Sequence, residues 1–271
     1  MIDMRMEKIT FKLFLAMLVI FLSGKAYGQL ECAKCHNILT SKKVVHAAVQ
    51  MGCESCHIEP HQKKPKFPKG LSADQPDLCF GCHDKAKFSK KNVHAAVMMG
   101  CTGCHNPHSS DEQKLLNMQS PALCFGCHDK KSFSGKKVEH PPVKGGMCVS
   151  CHNPHSSENE KLLAAVSPAL CLTCHDKTKF QNKEVHPPVA GGMCTSCHFP
   201  HQGDNERLLT TPQPDLCYNC HDKSMFEKKN VHAAVMMGCT TCHNPHANKQ
   251  KFLIKSSINA LCLTCHAQVA K

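Results

Sequence analysis

The sequence predicts a mostly irregular chain with short α-helices and little or no β-structure, laid out as an elongated array of repeats. Three observations predict it. No amphipathic run is long enough for an extended helix, and no segment alternates clearly between apolar and polar residues as a half-buried strand would. A period of 45 to 48 residues runs through most of the 271-residue chain, which is the length of one supersecondary unit. Trp is absent, tyrosine occurs twice, and 15 glycines and 16 prolines interrupt the chain. Such a composition builds too little ordinary core to offset chain entropy.

The cysteines indicate what replaces that core. All 22 belong to eleven copies of Cys-x-x-Cys-His. The pairs are Cys32 and Cys35, Cys53 and Cys56, Cys79 and Cys82, Cys101 and Cys104, Cys124 and Cys127, Cys148 and Cys151, Cys171 and Cys174, Cys194 and Cys197, Cys217 and Cys220, Cys239 and Cys242, and Cys262 and Cys265. The histidines that follow are His36, His57, His83, His105, His128, His152, His175, His198, His221, His243 and His266. This spacing attaches c-type haem: the thiols add to the porphyrin as thioethers and the next histidine falls under the iron. A zinc site needs about four ligands per metal and no histidine after every pair. A disulfide framework accounts for an even cysteine count but not for the histidines. Histidine is 21 of 271 residues, so eleven successive coincidences are excluded. The chain reads as a carrier of eleven covalent haems, with the haems as its interior.

Taken in order, residues 1–28 read as a secretory signal. Arg5, Lys8 and Lys12 precede an apolar run over 13–22, and Ala26 and Gly28 suit cleavage after Gly28. The run is too short to span a bilayer comfortably, and nothing later resembles a transmembrane segment. Export agrees with the cofactor, whose attachment takes place outside the bacterial cytoplasm. The expected location is the periplasm, or the outer membrane or cell exterior. Residues 29–45 hold one motif, and five two-motif repeats follow at 46–93, 94–139, 140–185, 186–231 and 232–271. The second motif trails the first by 26 residues in repeat 1 and by 23 in the others. Repeat 1 also has a Lys-rich insertion over 63–69, read as a solvated loop, with docking of an acidic partner as the alternative. Short helical turns are expected at the motifs and ahead of each second motif, with loop elsewhere.

Ten histidines remain, and they fall at two repeated positions. His46, His94, His140, His186 and His232 open the repeats, each followed by Ala-Ala-Val or Pro-Pro-Val. His61, His108, His155, His201 and His246 follow a proline shortly after each first motif. A lone histidine is most often a pH-sensitive surface group; here none lies outside the pattern, so all ten are read as distal iron ligands. The Pro-His histidine follows a proximal one by three residues, or four in repeat 1. It stands on the proximal side of that haem and is expected to ligate a different one. Two imidazoles saturate the iron and suit it to one-electron transfer at a comparatively reducing potential. The arithmetic leaves one iron short. Its sixth ligand is a methionine, the N-terminal amine, a histidine of another protein, or water. Met51, Met99, Met147, Met193 and Met237 precede a motif cysteine by one or two residues, although such methionines more often pack on the haem edge. The solitary haem at His36 is the first candidate for the deficient site and the haem at His266 the second.

The formal charge of +12 suggests an anionic partner. Removing the signal leaves 29 basic and 19 acidic residues. Two propionates and one ferric centre per haem bring the loaded protein to about −1 oxidised and about −12 reduced. The lysines are therefore read as compensation for propionates, and nucleic acid is excluded as a partner.

In stretches such as Val93-His94 to Cys101-Thr-Gly-Cys104-His105-Asn-Pro-His108 and on to Leu123-Cys124-Phe-Gly-Cys127-His128, the repeats resemble the doubled Cys-x-x-Cys-His unit of multihaem, cytochrome c3-like c-type cytochromes. The resemblance covers residues 45–266. It implies a multihaem cytochrome fold of closely packed bis-histidine haems, similar to the decahaem electron conduits of metal-respiring bacteria. The function it implies is an electron carrier of anaerobic respiration, not an enzyme. Its expected donor is a membrane quinol-oxidising complex or a periplasmic cytochrome, and its expected acceptor an outer-membrane porin-cytochrome conduit or an extracellular oxidant. Two rivals stand beside this reading: a nitrite- or hydroxylamine-type oxidoreductase or sensor with one open haem, and a structural role as a subunit of a homo-polymeric conducting filament or inserted in an outer-membrane porin.

Overall fold

The computed structural model describes residues 27–269, with side chains from Cys32 onward. The signal expected over 1–28 lies outside them, apart from the backbone of Tyr27 and Gly28. The trace divides into two compact bodies, one ending at Gly126 and the other beginning at Cys127.

After the helix Tyr27–His36, each repeat runs through the same succession of short turns. A histidine in extended conformation, such as His46 or His140 (ψ 132° and 129°), leads into one helical turn, Ala47–Gln50 or Pro141–Lys144. In repeats 3 and 4 that turn starts on Pro141 and Pro187, where a missing N–H is not needed by the helix. A glycine at positive φ then redirects the chain into the first motif: Gly52, Gly100, Gly146, Gly192 and Gly238 (φ 112°, 100°, 69°, 71° and 93°). A left-handed turn and a second short helix, for example Asp77–Phe80 or Asp215–Tyr218, carry the second motif. Four such helices follow a cis proline, at Pro76, Pro121, Pro168 and Pro214. The expected architecture of short helical pieces in a repeat array is thus the observed one.

Small antiparallel ladders join neighbouring repeats. In the first body Val44–Val45 pairs with Ser109–Ser110. In the second, Val138–Glu139 pairs with Gln202–Gly203, and Glu184–Val185 with Ala247–Asn248. In each case the strand just before a repeat-opening histidine is covered by the residues just after the next repeat's Pro-His. Strands of two residues leave no alternation that could be read in advance.

Among the described residues the only buried apolar side chain is Ala247; the other buried side chains are Ser109, Ser110, Ser156, Ser157 and Gln202. These polar groups are satisfied locally. Ser109 Oγ donates to the Leu39 carbonyl at 2.7 Å. Gln202 donates to the Lys131 carbonyl at 2.6 Å and accepts from the Lys136 amide at 2.9 Å. Large apolar side chains face outward, Met98, Met99, Met236 and Phe252 being more than 80% exposed. One buried alanine does not approach the roughly 1–2 kcal/mol per residue lost in ordering the backbone. Over the described residues the polypeptide is a hydrogen-bonded scaffold without an interior of its own.

Candidate haem-binding sites

Each motif is a single tight turn. The amide of the motif histidine donates to the carbonyl of the first cysteine four residues earlier, at 2.9 to 3.0 Å for His57, His83, His105, His152, His175, His198, His221, His243 and His266. Residues i, i+3 and i+4 of such a turn share one face. Both thiols and the imidazole are thereby presented together, as a porphyrin tethered at one edge and ligated below requires.

The imidazoles are held by backbone carbonyls. In the first motif of every repeat Nδ1 pairs with a carbonyl: His57 with Lys69, His105 with Lys114, His152 with Lys161, His198 with Arg207 and His243 with Phe252, at 2.8 to 3.0 Å. Those five acceptors all lie in the left-handed region, with φ of 55° to 59°. The conformation costs a non-glycine residue on the order of 1 kcal/mol or more, and it recurs in every repeat where it aims a carbonyl at a ring. The repeat-opening histidines are held likewise, Nδ1 of His46, His140 and His186 meeting the carbonyls of Pro107, Pro200 and Pro245 at 2.9 to 3.0 Å. With Nδ1 engaged, Nε2 is the nitrogen left for a metal.

Held in this way, the rings face one another in pairs. Repeat-opening histidines meet the second motif of their own repeat: His46 with His83, His140 with His175, His186 with His221 and His232 with His266, centroids 6.0 to 6.1 Å apart. Pro-His histidines meet an earlier motif: His61 faces His36 at 6.2 Å, and His108, His201 and His246 face His57, His152 and His198 at 6.0 to 6.1 Å. Two metal–nitrogen bonds of about 2 Å with one half-ring on each side account for this separation. The residues therefore fit an iron held between two imidazoles. Burial, and then the ring opposite, hold the pKa of His108, His201 and His246 below the usual histidine value. That favours the neutral imidazole a metal needs.

The pairing revises one expectation. His36 and His266, the two sites first suspected of lacking a partner, both face an imidazole. The ring without one opposite, among the described residues, is His243, whose polar contact is the Phe252 carbonyl at 2.9 Å. His94, His105, His128 and His155 occupy the same repeat positions as the paired rings and are not free.

None of the 22 cysteines is joined to another as a disulfide, and the cysteines of successive motifs adjoin. In the first body Cys32 lies beside Cys53, Cys56 beside Cys82, and Cys79 beside Cys101. In the second, Cys151 neighbours Cys174, Cys171 neighbours Cys194, Cys197 neighbours Cys220 and Cys217 neighbours Cys239. Burial, then the adjoining thiol, push Cys79 and Cys217 up to about 11. Ser167 Oγ spans one such junction, 3.9 Å from Cys171 Sγ and 3.3 Å from Cys194 Sγ. First cysteines adjoin between repeats and second cysteines within them, so attachment points follow chain order within each body. Among the described residues no three or more His, Cys, Asp or Glu side chains converge on a bare ion; what converges is imidazole pairs.

Several supporting residues were not singled out from sequence. Phe133 and Phe180 pack edge-on against His201 and His246, centroids 5.1 Å apart, and Asn106 and Asn244 accept from the amides of His108 and His246 at 3.0 and 3.1 Å. The phenylalanine that recurs after the second motif of the first four repeats, and the recurring Asn-Pro-His, are the available signals. The insertion over 63–69 is mostly exposed, but its end is not merely solvated, since Lys69 supplies the His57 acceptor. Next to it, Gly70 stands at φ 66°, and a Cβ there would lie 2.1 Å from the Glu59 carbonyl oxygen. Gly70→Ala is expected to push the chain away from Glu59 and so move the Lys69 carbonyl off His57, at a cost of about 1–3 kcal/mol. Thermal unfolding and the EPR spectrum check this; an unchanged midpoint together with an unchanged spectrum would contradict it.

A family model described as the doubled CXXCH motif matches residues 46–88, 94–133, 140–180, 186–226 and 232–271. No curated protein gives a significant match.

Proposed function

The chain belongs to the doubled CXXCH family, repeats that bind c-type haem covalently in multihaem electron-transfer proteins, and from that premise we propose an exported electron carrier with eleven haems, the additional one at Cys32, Cys35 and His36. Haem supplies one-electron chemistry between ferric and ferrous iron. The polypeptide tethers, orients and orders. Its paired imidazoles would hold an iron from both sides and leave no room there for substrate, while its adjoining thiols set successive attachment points side by side.

The observation that carries this reading is the set of eight facing histidine pairs at 6.0 to 6.2 Å. Every one joins a motif histidine to one of the ten spare histidines. Sites built to turn over a substrate would leave that face open. The direction of flow proposed is from a quinol-linked membrane complex or periplasmic cytochrome to an outer-membrane or extracellular acceptor. Export is inferred from the signal-like residues 1–28; among the described residues no helix is long and apolar enough to cross a membrane.

Two measurements on the purified protein test the proposal. Intact mass is expected to exceed the signal-cleaved polypeptide by eleven haems, and the ferric spectrum to be dominated by low-spin iron. A majority of high-spin, carbon monoxide-binding haems would refute it. A reductase reading has one observation in its favour, the unpaired His243, and predicts turnover of nitrite or hydroxylamine with a reduced dye.

A further inference from the structure

We infer that the repeat at 232–271 carries a docking site for a histidine-bearing extended segment of another polypeptide, which places an imidazole opposite His243; the inference rests on the electron-carrier reading above. Three other repeats show what such a segment does. The opening of repeats 1, 3 and 4 is met by one element of the next repeat, a Pro-His followed by two strand residues. Its proline carbonyl takes Nδ1 of His46, His140 or His186 at 2.9 to 3.0 Å. Its histidine carbonyl accepts the amide of the same residue at 2.8 to 2.9 Å. Its strand residues pair with the residues ahead of that histidine. Its imidazole stands opposite His57, His152 or His198.

At the repeat opened by His232 the groups that would meet this element are present and, among the described residues, unmet. Neither the amide nor Nδ1 of His232 has a hydrogen-bond partner among the described residues. Asn230 and Val231 lie outside any strand, and residues 230–232 are exposed where 44–46, 138–140 and 184–186 are half-buried. His243 is anchored by Phe252 as its counterparts are by theirs, yet faces no ring. Phe226, the counterpart of Phe133 and Phe180, packs on Tyr218 at 5.9 Å instead of covering a histidine. The His232–His266 pair is tilted by 58°, where the three anchored pairs of its kind lie within 9° to 16° of parallel. One missing segment accounts for all of these together, whereas a small ligand on the iron would account for the ring alone.

The three donors also define the occupant: proline, histidine, then two residues small or slender enough to be covered, as in Ser109–Ser110, Gln202–Gly203 and Ala247–Asn248. A second copy of this chain is a poor donor. Its His61, His108, His201 and His246 already face His36, His57, His152 and His198, and lending one uncovers another. Recognition is by strand addition, with main-chain hydrogen bonds giving affinity.

The test uses the haem-loaded protein and a synthetic peptide with the sequence of residues 244–250, Asn-Pro-His-Ala-Asn-Lys-Gln. Free imidazole and the peptide carrying Ala for His serve as comparators. Carbon monoxide is expected to bind one haem per chain. The peptide should convert that haem to low spin at a concentration about tenfold below free imidazole, and the alanine peptide should not. The variant Cys239→Ser with Cys242→Ser should lose one haem by mass together with both responses. Val231→Pro should keep carbon monoxide binding and lose the peptide's advantage over imidazole. The proposal is overturned if no haem binds carbon monoxide, if the responses survive the double serine variant, or if the peptide is no better than imidazole (a small-ligand site only). Closure of the open haem by self-association as the protein is concentrated would overturn it as well. A low haem count or predominantly high-spin iron would instead refute the electron-carrier reading.

Discussion

Made without covalent haem, for example with the motif cysteines replaced by serine, the chain is expected to be unfolded. The reason lies in what the scaffold buries: one alanine and five polar side chains among the described residues. Hydrogen bonds each add a net of only about 1 kcal/mol in water, and the two-residue ladders are too short to stand alone. Against them is the conformational entropy of more than two hundred residues, about 1–2 kcal/mol each for the backbone. Metal ligation and the apolar face of the porphyrin are the terms that reverse the sign, as in small metal-dependent domains that fold only when loaded. Far-UV circular dichroism and amide exchange check this. A cooperative melting transition in the haem-free chain would show that the polypeptide holds itself together.

Replacing His201 by alanine is expected to alter one haem and leave its neighbours intact. His201 is half-buried between Phe133, 5.1 Å away, and His152, 6.1 Å away, so its side chain serves the motif at Cys148 and Cys151. Its backbone does separate work, accepting from the amide of His140 at 2.8 Å while the Pro200 carbonyl holds His140 Nδ1 at 3.0 Å. His201→Ala keeps those carbonyls and removes only the imidazole. The expected result is one additional carbon monoxide-binding, high-spin haem per chain. Loss of one imidazole should also move that haem's potential by about 0.1 V or more, axial ligation being the main control of haem potential. Spectropotentiometry with carbon monoxide titration reads both. If every iron stayed low-spin, His201 would not be the ligand opposite His152.

The chemistry was legible in the sequence because it is written in short-range spacing. Two thiols and a histidine within five residues need only one turn to act together, and the turn formed at the motifs as expected. The two classes of spare histidine were legible from their fixed places in the period. What spacing does not carry is which distant histidine each motif meets. His36 looked isolated because no second motif stands near it in the chain, yet His61, four residues past His57, reaches it in space. Conversely, His243 looked ordinary because its own repeat is complete in sequence; its shortfall appears only once first motifs are seen to take their partner from a neighbouring repeat. The left-handed turns were hidden for another reason. Lysine and arginine are not residues that mark positive φ, and Lys114, Lys161 and Arg207 adopt it to aim a carbonyl, whatever their side chains.

Offering a donor on one side and an acceptor on the other makes each repeat the complement of its own copy. The Pro-His segment that closes repeat 3 would close any repeat of the same kind, so duplication of the unit in the gene lengthens the array without creating a new interface. Stability then accrues by nearest-neighbour increments, and the distance bridged grows with the number of copies. Span becomes a quantity that evolution, or an engineer, can set by counting.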